Sequence, residues 1–474
     1  MPITSTEHTP GAGPRTPSAR RHGLVAFLAA NMLIDALEVS IMIVAMPTIA
    51  EDLGLSRTTA IWTITGFATG FAGALLLGGR LAARLGMRRV YLAALLVFVL
   101  ASLLGAAADD PALLAAARAL KGACAALTAP LGLAIISTAL PRGRARDIGL
   151  SVYTLAGGAG FSVGLILAGG LTPVGWRWTF LVPAIIGAVV LIAGARLIPR
   201  EGRAALGGTA AKPLGAVNAT LFTLGVAACV LAITTAAERG WRDRIPLTCL
   251  VITALSALVL VVVERRSSTT LYRSPVLTNR TLLVSMAGAA AMNGTNLALL
   301  LIVTIRMQYD LGWGPLRTGL ALLPASIPLV VAAPSAGPLL RRFPMSVLVA
   351  MGTASSVAAA LTFMYPAVPD RYLTDVLPGM LLLGAAFAAG FAALNAQAVS
   401  TVDPARRAAA TGLYQTAVQL AAAIVPAAVT AALVVGYRHA VVLAVVVALA
   451  GVPAAIAGVL ANTRNHAEHS RVEK

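Results

Sequence analysis

The chain has 474 residues, 58% of them hydrophobic and only 11% charged, with a formal net charge of +18. Soluble globular chains carry about 25% charged residues, so this composition excludes a water-soluble fold and reads as a polytopic, all-helical membrane protein. Three cysteines inside apolar runs, Cys124, Cys229 and Cys249, have neither metal-ligand spacing nor the even count of a disulfide framework.

Residues 1–23 are polar and rich in Pro, Thr and Ser, as in a disordered cytoplasmic tail. The apolar run that follows is too long and too acidic for a signal-peptide core. Fourteen runs are long enough to span a bilayer, with cores near 24–49, 59–79, 90–108, 112–140, 148–171, 178–198, 214–236, 245–263, 281–305, 316–340, 345–365, 374–400, 408–436 and 440–461. With both termini on one side, 25 Lys and Arg fall on that face, 9 on the other and two within a run. The positive-inside rule places the richer face, and both termini, in the cytoplasm of a bacterial inner or plasma membrane. The same rule accounts for the positive net charge without nucleic acid, as a surface facing lipid headgroups. Trp62, Trp176, Trp178, Trp241 and Trp313 stand near run ends and read as an interfacial belt.

The first run, NMLIDALEVSIMIVAMP, holds Asp35 and Glu38 three residues apart. Each acid at the bilayer centre costs roughly 3 kcal/mol on insertion scales, so the pair reads as functional. The fourth run holds the other two charges inside a span, Arg118 and Lys121, also three apart. Residues at that spacing share a helix face. All four are therefore expected in one charge cluster, with a static ion-pair network as the alternative. Low dielectric favours the protonated form of a carboxyl group and a nearby cation the ionised form, so helix movement converts geometry into protonation.

The two ends of the chain repeat each other. Asp52-Leu53-Gly54 recurs as Asp310-Leu311-Gly312, and Gly79-Arg80-Leu81 as Gly337-Pro338-Leu339, both at an offset of 258. STALPRGRARDIGL (137–150) matches STVDPARRAAATGL (400–413) at seven of fourteen positions. The copies lie eight spans apart, an even number, so the repeat is parallel, with its axis along the membrane normal. The expected domains are an N-terminal six-helix bundle at 24–198, a linker with two extra helices at 199–264, a C-terminal bundle with its preceding loop at 265–461, and a cytoplasmic tail at 462–474. At the same offset Asp35 falls on Asn293 and Glu38 on Asn296. The second pair faces the cavity between the bundles or, alternatively, glues helices together.

Several motifs stand in order on these spans. The loop GRLAARLGMRR (79–89) carries Gly79, Leu81, Arg84, Gly86 and Arg88 of the pattern GxLaDrxGrk, with Ala83 at its usual Asp. LLAAARALKGACAA (113–126) follows the pattern lxxxRxxqGxgaA, with Arg118 and Gly122 matching and Lys121 where Gln is usual. GFSVGLILAGGL (160–171) keeps Gly160, Gly164 and Gly169, with Leu165 at the usual Pro, and is followed by WRWTFLVP (176–183). From residue 24 to 461 the chain resembles the fourteen-span drug:proton antiporters of the major facilitator superfamily. The resemblance implies two six-helix bundles related by a parallel pseudo-repeat, plus two extra central helices, fourteen transmembrane helices in all.

It also implies a proton-coupled exporter of small amphiphilic compounds, a multidrug or antibiotic efflux system driven by the proton gradient without a cofactor. Export or symport of a specific metabolite, including an anionic one, is the second reading. Glu38 takes the family's acidic position in span 1, so it is favoured over Asp35 as the coupling carboxylate. Gly79, Arg84, Gly86 and Arg88 are expected to latch the cytoplasmic ends, and Gly160, Gly164 and Gly169 to govern close helix packing. Candidate substrate contacts are the amides Asn31, Asn293, Asn296, Asn395, Gln397, Gln415 and Gln419, with Met42, Phe67, Tyr153, Phe161 and Met292 as apolar walls. The expected partners are the substrate, protons and the lipid bilayer; the protein is read as a monomer.

Other classes fit poorly. No GxxxxGK[ST] loop exists, and the three lysines, Lys121, Lys212 and Lys474, stand in no such context. GFSVG matches GxSxG, but Ser162 falls mid-helix and no span interior holds a histidine base, so the chain is not read as an enzyme. The loops near 199–213 and 264–280 are too short for the soluble domain of a receptor.

Overall fold

The computed structural model describes residues 18–141, 143–199, 215–266, 275–332, 342–364 and 371–458. Among these residues thirteen helices are long and apolar enough to cross a membrane. In chain order they and one shorter helix are α1 (Arg21–Asp52), α2 (Arg57–Leu85), α3 (Met87–Ala106), α4 (Pro111–Ala139), α5 (Arg144–Leu171), α6 (Trp178–Leu197), α7 (Ala216–Arg239), α8 (Arg244–Arg266), α9 (Arg280–Asp310), α10, α11 (Met345–Thr362), α12 (Tyr372–Ser400), α13 (Pro404–Val435) and α14 (Tyr437–Gly458). The shorter one, α10, starts as Pro315–Leu322 and passes through a 3-10 turn into Ile327–Ala332. Its expected continuation to residue 340, the Gly337-Pro338-Leu339 copy of the repeat, residues 1–17 and 462–474 of the tails and most of the 199–213 loop lie outside the described residues. Residues 18–23, expected in the disordered tail, are instead helical and run on into α1. The helices match the fourteen apolar runs because span length is set by bilayer thickness.

Local chemistry fixes the ends. Gly86 adopts φ +89°, breaking the α2–α3 connection in a conformation other residues rarely take. Asp110 caps α4 by accepting from the Leu113 amide, and Pro111 occupies the first helical turn, where no amide partner is needed. Asn279 caps α9 in the same way through Leu282.

Three apolar cores show how the halves meet. Near the start of α1, the N-terminal bundle has its own core, including Leu28, Tyr91, Ile135 and Tyr153. The C-terminal bundle has another at the same end, including Leu282, Leu348, Leu394 and Tyr414. At the opposite end one core joins both bundles, with Met42, Met46 and Leu165 against Leu299, Ile302 and Leu322. The bundles are thus fused at the end away from the termini, and their cores are separate at the terminal end. Flanking contacts run between α2 and α13 and between α5 and α10. The extra helix α7 packs beside α2 and α13, and α8 packs on α7, with Val251, Leu255 and Leu258 left exposed on its outer face. Glu264, buried near the end of α8, accepts a hydrogen bond from Asn218 of α7.

Candidate functional site

Glycine brings α2 and α4 together. A Cβ at Gly66 would meet the Ala115 carbonyl oxygen at 3.0 Å, and one at Gly70 or Gly122 would run into facing backbone. At this crossing Arg118 reaches across α2, its Nε donating to the Thr63 carbonyl at 2.5 Å. Its Nη1 lies 2.5 Å from Glu38 Oε2, and its Nη2 donates to the Glu38 backbone carbonyl at 2.9 Å. Lys121 Nζ stands 2.7 Å from the other carboxylate oxygen, Oε1. That approach is an ion contact: neither atom has an aligned hydrogen-bond partner. Glu38, Arg118 and Lys121 are each 0% exposed.

Aromatic faces complete the enclosure. The Phe67 ring centre lies 4.9 Å from Arg118 Cζ, and Phe98 and Phe180 lie 5.0 and 4.8 Å from Lys121 Nζ. Cation–π attraction offsets part of the lost hydration. With all three groups ionised the site carries one surplus positive charge.

Asp35 does not join the cluster. Its carboxylate accepts from Asn31 Nδ2 at 3.0 Å and from Thr128 Oγ1 at 2.7 Å, and it makes no ion pair among the described residues. The expectation of a single four-charge cluster is corrected: three groups meet and the fourth lies one turn nearer the terminal end. A short side chain set back one turn on α1 faces Thr128, seven residues beyond Lys121 on α4. Asp35 is 7% exposed, whereas Glu38 is sealed.

The other expected residues divide. Asn31 and Phe67 support the two acids' surroundings directly, as described. Tyr153 is buried, its hydroxyl donating to the Ala129 carbonyl at 2.8 Å. Asn293 Nδ2 donates to the Val418 carbonyl at 3.1 Å, which is the helix-gluing role. Phe161, Asn296, Asn395, Gln415 and Gln419 are half-buried, and Asn296 makes no hydrogen bond among the described residues. Three candidates are corrected. Met42 is fully buried in the shared core, and Met292 packs on Gly390 inside the C-terminal bundle, because both helices are surrounded there. Gln397 lies beside Gly458 and Ser346, against α14 and α11. Trp176 is likewise not interfacial: it is 3% exposed, and its indole donates to Asp52 at 2.7 Å.

Among the expected conformational residues, a Cβ at Gly160 would meet the Leu33 carbonyl oxygen at 2.5 Å, and one at Gly164 the Leu37 carbonyl oxygen at 2.7 Å. Gly169 faces Leu316 of α10, so the same helix packs on α1 and on the other bundle. Arg88 Nη2 donates to the Ala195 carbonyl at 2.5 Å, tying α3 to α6. Arg84 sits in the last turn of α2, and Gly79 has open space around it. Ser162 lies within α5, not at a strand-to-helix turn. Sequence reasoning missed Thr128 and the Thr63 carbonyl; a lone threonine or a backbone oxygen carries no sequence signal. It also passed over the buried Glu264, which sits among charged residues at a span end.

The Major Facilitator Superfamily model matches residues 28–426, with an overlapping match at 284–471. The chain is 35% identical over 413 residues to the puromycin resistance protein of Streptomyces alboniger, covering 86% of this chain and 81% of that protein. It is 32% identical over 420 residues to the cephamycin export protein of Amycolatopsis lactamdurans, covering 84% and 82%. A solved POT family transporter in complex with 5-aminolevulinic acid superposes with a TM-score of 0.64 at 14% identity, over 90% of this chain and 94% of that one. That likeness concerns the fold. The chain is a multi-pass membrane transporter, not an enzyme, and it belongs to the Major Facilitator Superfamily.

Proposed function

We propose that the protein is a proton-coupled exporter of small amphiphilic compounds of the antibiotic kind, embedded in a bacterial inner membrane with both termini in the cytoplasm. One observation carries the reading: a sealed carboxylate in the middle of a spanning helix is held between two cations on a neighbouring helix. Protonating Glu38 removes the charge that clasps α1 to α4; deprotonating it restores the clasp. Asp35, at the less sealed end, is suited to pass the proton between Glu38 and the cytoplasmic opening. The separate cores at the terminal end support a form open toward that side, and rocking about the fused end exchanges access. The division into 24–198, 199–264 and 265–461 follows, with a single chain as the working unit and no cofactor beyond the proton gradient. The activities for which the relatives are named, puromycin resistance and cephamycin export, favour antibiotics as the compound class.

The surplus positive charge favours a second reading, in which the carried compound is an anion. Purified protein in proteoliposomes under an imposed pH gradient, screened with cationic, neutral and anionic compounds, separates the two. Compound-driven proton movement that is lost in Glu38→Gln supports the proposal; exchange that persists in both Glu38→Gln and Asp35→Asn sinks it.

A further inference from the structure

Away from the ion cluster, the extra helix α7 meets the outer ends of α2 and α4 around a cavity of about 370 Å³. Its walls include Trp62 of α2, Pro111 and Ala115 of α4, and Leu231, Thr234 and Glu238 of α7. The mouth is the informative part. Glu238 accepts hydrogen bonds from the hydroxyls of Ser56 and Thr58. No cation pairs with Glu238 among the described residues. The cavity therefore combines an indole, aliphatic walls and threonine hydroxyls with one carboxylate that lacks a counter-charge. Ligand sites have this make-up: mostly apolar walls with a few placed polar groups, and an aromatic face that attracts cations.

We infer that this cavity is a second binding site, selective for amphiphilic organic cations, walled by the extra helix α7 against α2 and α4 and distinct from Glu38. Its walls adjoin the helix crossing that holds the ion cluster. Ala115 lies one turn before Arg118 on α4, and Trp62 adjoins Thr63, whose carbonyl accepts from Arg118. An occupant that parts α2 from α4 at Gly66 and Ala115 pulls on the bond that orients Arg118. That exported compounds pass through this site rests on the proposed export; the binding itself does not.

The test uses the full chain in lipid nanodiscs at equilibrium, without a pH gradient, and tetraphenylphosphonium as the probe. Glu238→Gln removes the charge with little change of shape at an exposed position, and Ala112→Trp blocks the mouth. Each is expected to weaken one class of binding by about tenfold or more, the scale of a lost charge-assisted contact. Tetraphenylborate, of the same shape and opposite charge, is expected not to compete. Glu38→Gln is expected to keep this binding class while losing proton-driven transport, which separates failure of the site from failure of the exporter reading. The inference is overturned if Glu238→Gln and Ala112→Trp both bind the probe as the parent does, if tetraphenylborate displaces it from the site, or if Glu38→Gln alone abolishes binding.

Discussion

Asp35 and Glu38 lie three residues apart on α1, yet they share no partner: Asp35 is held by Asn31 and Thr128, Glu38 by Arg118 and Lys121. Two acids with separate partners serve separate steps. Replacing Glu38 by Gln is expected to abolish proton coupling, because the amide cannot titrate and cannot balance two cations. Asp35→Asn keeps groups able to bond Thr128 and Asn31, so coupled exchange is expected to slow but remain measurable. Proton flux recorded alongside substrate flux in proteoliposomes checks both; coupling lost equally in the two variants would contradict the separation.

The two cations are not equivalent. Arg118 makes three hydrogen bonds, to the carboxylate, the Glu38 carbonyl and the Thr63 carbonyl, whereas Lys121 makes an ion contact only. Removing one partner of a buried pair costs about 3–5 kcal/mol. Arg118→Gln is expected to fall in that range. Lys121→Gln is expected to fall well below it, because Glu38 retains Arg118 as its counter-charge. Thermal unfolding of the detergent-purified variants gives the order, and a Lys121 variant less stable than the Arg118 variant would refute it.

Close packing on α5 supplies its own control. A side chain at Gly164 meets the Leu37 backbone, whereas nothing lies within 4 Å of a Cβ at Gly158, six residues earlier on the same helix. Overpacking costs about 1–3 kcal/mol. Gly164→Val is expected to lower stability by that amount and to reduce transport. Gly158→Ala is expected to be neutral or slightly stabilising, since alanine is the better helix former by about 1 kcal/mol. Melting temperatures of the two variants decide; equal losses would mean that the α1–α5 contact is not the cause.

The spans were legible because bilayer thickness imposes a length on every apolar run, and the buried charges because few forces tolerate them there. The pairing of Arg118 and Lys121 with α1 has the same origin: a lone charge in such surroundings needs an opposite one. What failed was finer. Nothing in the spacing of Asp35 distinguishes a neighbour of Lys121 from a neighbour of Thr128, since the stagger of the helices around α4 is set by glycines at Gly66, Gly70 and Gly122 that act on backbone. Met42 and Met292 look like cavity walls because apolar side chains carry no mark of whether they face a neighbouring helix or an open space. Gln397 failed likewise: on a helix packed on several sides, an amide's direction depends on the helix's rotation about its own axis.

The fused end has an identifiable clasp. Gln308 Nε2 of α9 donates to the Val44 carbonyl of α1 at 2.9 Å, and the neighbouring Tyr309 ring stacks 4.3 Å from Arg57 Cζ of α2. Both contacts cross from one bundle to the other, so both must break for this end to open. A hydrogen bond of this kind contributes about 1 kcal/mol, roughly a fivefold change in the balance between two conformations. Gln308→Leu is therefore expected to raise the population open at this end by that factor. The readout is Met46, which is 0% exposed within the shared core. In a background with Cys124, Cys229 and Cys249 replaced by Ala, Met46→Cys should react slowly with a membrane-impermeant maleimide, and faster by that factor once Gln308→Leu is added. An unchanged rate would show that the apolar core, and not the clasp, holds this end shut. Ile302, buried in that core against the other bundle, would then be the side chain whose truncation to Ala speeds the reaction.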